Sequence, residues 1–171
     1  YSQEYEALRD RSDAHRDETG ARPTAFLATL GPVAAHTARA SFATNLLAAG
    51  GITVIDPGPL ADASVAAHTF ADSGARVAVI CSSDRIYDEH AESVARALKG
   101  AGARRVVLAG KPRDAYRQAG VDSFAHVGCD AVALVTDLVD VLLTDPPPSP
   151  PKEAFAPETS TEPTHAQGEV A

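Results

Sequence analysis

The sequence predicts a doubly wound α/β domain, with a five-stranded parallel sheet covered by helices on both faces. Three observations predict it. Apolar runs of strand length alternate with stretches of helical spacing, five times over, between residues 22 and 144. Gly and Pro fall at most of the junctions between them. Aromatic residues make up only 5% of the chain, and Ala, Val and Leu dominate, which suits close packing of helix on sheet. Strands alternating with helices imply parallel pairing, because a parallel neighbour is reached by a crossover. Five short-looped units match the flavodoxin-like (Rossmann-type) sheet order 2-1-3-4-5. An eight-fold barrel needs about 250 residues, and this chain has 171.

The elements follow in order. TAFLATL (24–30), between Pro23 and Gly31-Pro32, is the first strand. HTARASFATNLLAAGG (36–51) is the first helix of the domain, with Ala38, Phe42, Leu46 and Ala49 at helical spacing and Gly50-Gly51 as its stop. ITVID (52–56) is a strand, and ADASVAAHTFADSG (61–74) a helix closed by Gly74. ARVAVICS (75–82) is the strongest strand signal in the chain. IYDEHAESVARALKGAG (86–102) is a helix with Ile86, Val94 and Leu98 on its apolar face. RRVVLAG (104–110) is the fourth strand, PRDAYRQAG (112–120) a short helix opened by Pro112, VDSFAHVG (121–128) the fifth strand, and CDAVALVTDLVDVLL (129–143) the closing helix.

The flanks differ in composition. Residues 1–21 are polar and charged with helical propensity, and end at Gly20; they are expected to form a linker helix from a preceding domain. Residues 145–171 hold seven of the twelve prolines, five acidic residues and one Lys, and are expected to be a disordered acidic tail, because they offer too little apolar surface to offset chain entropy. Residues 22–144 are the domain. The chain contains no Met, which gives the expectation that it is a piece of a longer polypeptide.

A net charge of −8 argues against nucleic acid and anionic membrane surfaces as partners. No apolar run is long enough to cross a bilayer. The two cysteines, Cys81 and Cys129, make no disulfide framework and are expected to be small buried residues in a reducing cytoplasm.

Ligands of open α/β sheets bind beyond the carboxyl ends of the strands, at the switch in strand order. The polar residues expected there are His36, Thr37, Ser82, Ser83 and Asp84. His36, at the opening of the first helix, has the chemistry of a metal ligand or base, or of a plain helix-start histidine. Ser82 and Ser83 have the chemistry of nucleophiles but lack a G-x-S-x-G elbow. Asp84 has the competing role of capping the next helix. Neither a Walker loop nor G-x-G-x-x-G follows the first strand.

FLATLGPVAAHTARASFATNLLAAGGI (26–52), VICSSDRIYDEHAESVARALKGAGARRVVLAG (79–110) and FAHVGCDAV (124–132) resemble the small subunit of heterodimeric methylmalonyl-CoA mutase, in its cobalamin-binding-like domain, over residues 22–144. The resemblance implies an adenosylcobalamin-dependent isomerase of methylmalonyl-CoA and succinyl-CoA, with a large subunit as partner and adenosylcobalamin as the holoenzyme's cofactor. Domains of this type carry Asp-x-His-x-x-Gly after the first strand: the His ligates cobalt from below, the Asp orients it, and the Gly leaves room for the nucleotide tail. Here His36 keeps the ligand position, Ala34 stands for the Asp and Arg39 for the Gly. Ser82, Ser83 and Gly110 stand where the family lines the tail channel. The resemblance therefore implies a degenerate domain of the non-catalytic subunit that binds no cofactor itself. Two alternatives stay open: a working cobalamin domain with His36 as the cobalt ligand, and an independent small enzyme or nucleotide-binding module using Ser82, Ser83 and Asp84.

Overall fold

A computed structural model describes residues 2–144; the predicted acidic tail lies outside the described residues. The elements are α1 (Ser2–Thr19), β1 (Thr24–Thr29), α2 (Val33–Ala49), β2 (Thr53–Ile55), α3 (Ala63–Ser73), β3 (Val77–Cys81), α4 (Asp84–Gly100), β4 (Arg105–Leu108), α5 (Asp114–Gln118), β5 (Ser123–Phe124) and α6 (Ala131–Thr144). All strand pairs are parallel, in the order β2-β1-β3-β4-β5. This is the doubly wound, flavodoxin-like order, and its switch point lies between β1 and β3.

Strand alternation divides the core into two layers. Ala25 and Leu27 of β1, Val77, Val79 and Cys81 of β3, and Val107 of β4 face α2 and α6. Phe26 and Ala28, Ala78 and Ile80, and Val106 and Leu108 face α3 and α4. Both sheet faces are covered, so the strands read as continuous apolar runs, not as alternating ones. On α4 the stripe Tyr87, Ala91, Val94 and Leu98 is buried. That is helical spacing, and a fully buried Leu or Val on such a stripe is worth about 2 kcal/mol. Phe26 meets Phe70 of α3 edge-on, with ring centroids 5.5 Å apart.

Several boundaries differ from the sequence expectation. α2 starts at Val33, with Pro32 as its N-cap residue at φ −65° and ψ 155°, so His36 lies inside the helix instead of opening it. A Pro at a helix start lacks only an N–H that would have no partner there anyway, and its fixed φ suits the entry. The buried face of α2 is His36, Ala43 and Leu47; Phe42 and Leu46 are half-buried beside it, and Ala38 is exposed. α5 starts after Pro112, at Asp114. β5 is an edge strand of only two residues, and just before it the Asp122 carboxylate accepts the Val106 N–H (2.7 Å). Cys81 is buried as expected, whereas Cys129 sits half-buried in the turn before α6.

The leading helix α1 packs on the domain. Leu8 and Ser12 are buried, and the Ser12 hydroxyl donates to the Gly50 carbonyl at 2.7 Å. Arg11 pairs with Asp140 of α6 at 2.6 Å. One turn earlier on α6, Asp137 receives the forked guanidinium of Arg105 from β4, with contacts of 2.8 and 3.1 Å. No helix of the described residues is long and apolar enough to cross a membrane.

Candidate functional site

The carboxyl ends of β3 and β4 are held together by one phenol. Tyr87, in the first turn of α4, is buried beneath them. Its hydroxyl accepts the Ser82 N–H (2.8 Å) and donates between the carbonyls of Ala109 (2.8 Å) and Ile80 (3.0 Å). Burial, and then the neighbouring Cys81 thiol, push the Tyr87 pKa well above the ordinary tyrosine range. Burial likewise pushes the Cys81 thiol up to about 12. Both groups stay neutral at neutral pH, so neither supplies a nucleophilic anion. The sequence reading missed Tyr87; its signal was a lone aromatic one helical turn after the Ser82-Ser83 corner.

Each predicted site residue has a definite place. Ser82 is fully buried, and its hydroxyl donates to the Leu30 carbonyl at 2.8 Å, tying β3 to β1 across the switch point. Ser83 is the N-cap of α4, its hydroxyl facing the Ile86 N–H at 3.5 Å. Asp84, in the first turn of α4, pairs with Arg39 instead of capping the helix. Gly110 is buried against Tyr87: a Cβ there would stand 3.1 Å from the ring and 3.0 Å from Leu108. Ala34 is exposed and offers no acceptor. His36 is buried at 7% exposure, and its Nδ1 has no hydrogen-bond partner.

Arg39 makes the longest reach. From α2, on one face of the sheet, it crosses the carboxyl edge to α4 on the other. Nη1 donates to the Ser82 carbonyl at 2.7 Å and Nη2 to Asp84 at 2.8 Å. The guanidinium lies over the Tyr87 ring, 5.0 Å from its centroid. Burial works against its charge, but the Asp84 and Tyr87 contacts outweigh that and raise its pKa. Beside it lies a cleft of about 360 Å³, lined by Ala38, Arg39, Phe42, Gly110, Lys111 and His126 among others. The structure thus brings Arg39, Ser82, Ser83, Asp84 and Gly110 to one edge, bonded mainly to one another and to main chain.

Known proteins give the family. The small subunit of methylmalonyl-CoA mutase from Streptomyces virginiae is 56% identical over 136 residues, 80% of this chain and 21% of its own length. This chain is homologous to part of the methylmalonyl-CoA mutase small subunit. The small subunit from Propionibacterium freudenreichii subsp. shermanii is 32% identical over 148 residues, 82% of this chain. A probable small subunit from Mycobacterium bovis is 50% identical over 111 residues, 64% of this chain. The chain spans about a fifth of the length of these curated relatives. No protein-family model matches it. Among solved structures, a cobalamin-binding protein from Desulfitobacterium hafniense DCB-2 superposes with a TM-score of 0.52 at 19% identity, covering 78% of this chain and 65% of its own. That likeness shows the fold.

Proposed function

We propose that this chain is the cobalamin-domain-like part of a methylmalonyl-CoA mutase small subunit, a structural partner of the large subunit that holds no cobalamin itself. In this reading, the holoenzyme interconverts methylmalonyl-CoA and succinyl-CoA in a reducing cytoplasm with adenosylcobalamin on the large subunit. The helix α1 leads in from a preceding domain.

One observation carries the reading: the edge where a ligand would sit is satisfied by the chain's own groups. The residues present do not fit cobalamin. Ser82 spends its hydroxyl proton on Leu30, so it is not free to line a tail channel. Arg39 stands where the motif needs a glycine and lies across the edge. His36 keeps the ligand position, but with Ala34 nearby in place of a carboxylate its buried Nδ1 is unpaired. A metal-ligating histidine is normally oriented through its second nitrogen, and losing that partner costs roughly 10–100-fold in affinity.

The test is titration of the purified chain with hydroxocobalamin and adenosylcobalamin, followed by visible absorbance, alongside size-exclusion with the large subunit. No spectral change, with co-elution, is the expected result. A base-off, histidine-ligated spectrum that His36→Ala abolishes would establish the alternative instead, a working cobalamin domain.

A further inference from the structure

We propose that Arg39 is the specificity-determining residue that closes the switch-point cleft to a nucleotide-tailed corrinoid, by standing inside the fold where such a ligand would lie. The proposal rests on the reading that the wild-type domain holds no cobalamin, and names the group responsible.

Three observations point to Arg39 in particular. The first is its pinning. Its two terminal nitrogens hold groups on different elements, the Ser82 carbonyl at the end of β3 and the Asp84 carboxylate on α4. Its plane rests on Tyr87, 5.0 Å from the ring centroid. A ligand entering here must break a charge-assisted bond and leave the Asp84 carboxylate without its cation.

The second is space. Nη1 stands 3.5 Å from the point a Cβ on Gly110 would occupy, with the Tyr87 ring at 3.1 Å from the same point. Arg39 and Tyr87 therefore fill the volume above Gly110 from two sides. Tyr87 is committed to three main-chain groups and is buried. Arg39 is the half that a ligand could displace, its side chain 30% exposed.

The third is what lies next to it. The cleft bounded by Arg39 holds about 360 Å³, at the small end of the roughly 300–1,000 Å³ that organic ligands occupy. Its floor is built from the small residues Ala38, Ala109, Gly110 and Ala125, and Phe42 forms an apolar wall. Lys111 and His126 are its polar members beside Arg39, so the lining offers apolar contact for a planar ring and donors at its rim. Arg39 is one of the residues lining this cleft at the strand ends, so removing its side chain enlarges the cleft toward the Ser82–Asp84 turn that the guanidinium holds.

The experiment compares the full 171-residue chain with Arg39→Ala, and with Arg39→Gly as a second variant, by absorbance and calorimetric titration. Ala is the primary choice because it preserves α2. Two probes are used: hydroxocobalamin, which carries the nucleotide tail, and dicyanocobinamide, which lacks it. The expected result is that wild type takes up neither, and that Arg39→Ala gains hydroxocobalamin binding by at least about tenfold with no gain for the cobinamide. Far-UV circular dichroism and the unfolding midpoint establish that the variants are folded. Folded variants that take up no more hydroxocobalamin than wild type would overturn the proposal while leaving the non-binding reading standing. An equal gain for both probes would also overturn it, since it would mean general loosening of the surface. Hydroxocobalamin uptake by wild type as tight as by the variants would remove the underlying reading itself.

Discussion

The hydroxyl of Tyr87 serves the ends of two strands and the turn after one of them, and nothing in its residue type announces that role. Replacing it with Phe keeps the ring under Gly110 but leaves the Ser82 N–H without its acceptor and takes a donor from the Ala109 and Ile80 carbonyls. Buried groups stripped of their partners cost about 2 kcal/mol. Tyr87→Phe is therefore expected to lower the unfolding free energy by that amount in urea titration; a loss under about 0.5 kcal/mol would mean water replaces the phenol. Cys81 yields a second test at this scale. Its thiol is fully buried and held to about 12, so it is expected to stay unlabelled by a disulfide reagent at mildly alkaline pH while half-buried Cys129 reacts. One fast thiol in the native chain and two after denaturant is the expected count. Residue type and place made His36, Thr37, Ser82, Ser83 and Asp84 the polar groups expected at the switch point, and the family resemblance added Arg39. Neither revealed their bonding, because whether Ser82 faces a ligand or the Leu30 carbonyl depends on how close β1 and β3 end to each other, which periodicity does not encode.

Among the elements, the strand–helix alternation was legible, since β1, β3 and β4 are short apolar runs and α4 carries a clear helical stripe. Their ends were less so. Caps decide ends, and a cap is a local contest: with Pro32 as its N-cap, α2 starts three residues before the expected His36. α1 shows the same limit. Besides buried Leu8 and the Arg11–Asp140 pair, it is docked by the Ser12 hydroxyl against the Gly50-Gly51 pair, which residue patterning does not announce. Gly51 has φ +78°, and a Cβ there would stand 2.7 Å from the Ser12 Cβ. Gly51→Ala combines left-handed backbone with that collision. It is expected to cost about 2 kcal/mol and to separate α1 from α2, lowering the unfolding midpoint. Ser12→Ala, which deletes only the bond to Gly50, is expected to cost about 1 kcal/mol. If Gly51→Ala is no worse than Ser12→Ala, the close approach of α1 is not what holds it.

Taken as a whole, the domain places two ionisable groups, Cys81 and Tyr87, in contact with one another's fields between its two core layers. Each has its pKa raised by burial; the charge the Cys81 thiol would carry raises Tyr87 further, and the Asp56 carboxylate raises Cys81 further. In the unfolded chain they ionise at about 8.5 and about 10. Below those values both are protonated in both states, and stability does not depend on them. As pH rises past them the unfolded chain releases protons that the folded chain retains, so stability falls, by at most about 1.4 kcal/mol per pH unit for each group. The urea midpoint is thus expected to be flat from neutral pH to about 8.5 and to drop steeply above it. Lysine deprotonation also acts in that range, so the decisive comparison is between wild type and Cys81→Ala. The variant loses the thiol's share, and its decline is expected to begin later, near the tyrosine's ordinary value. Identical profiles would mean that the edge opens to solvent at high pH before either group feels its burial. This edge, closed by Arg39 above and Tyr87 beneath, is expected to respond to alkali as core does.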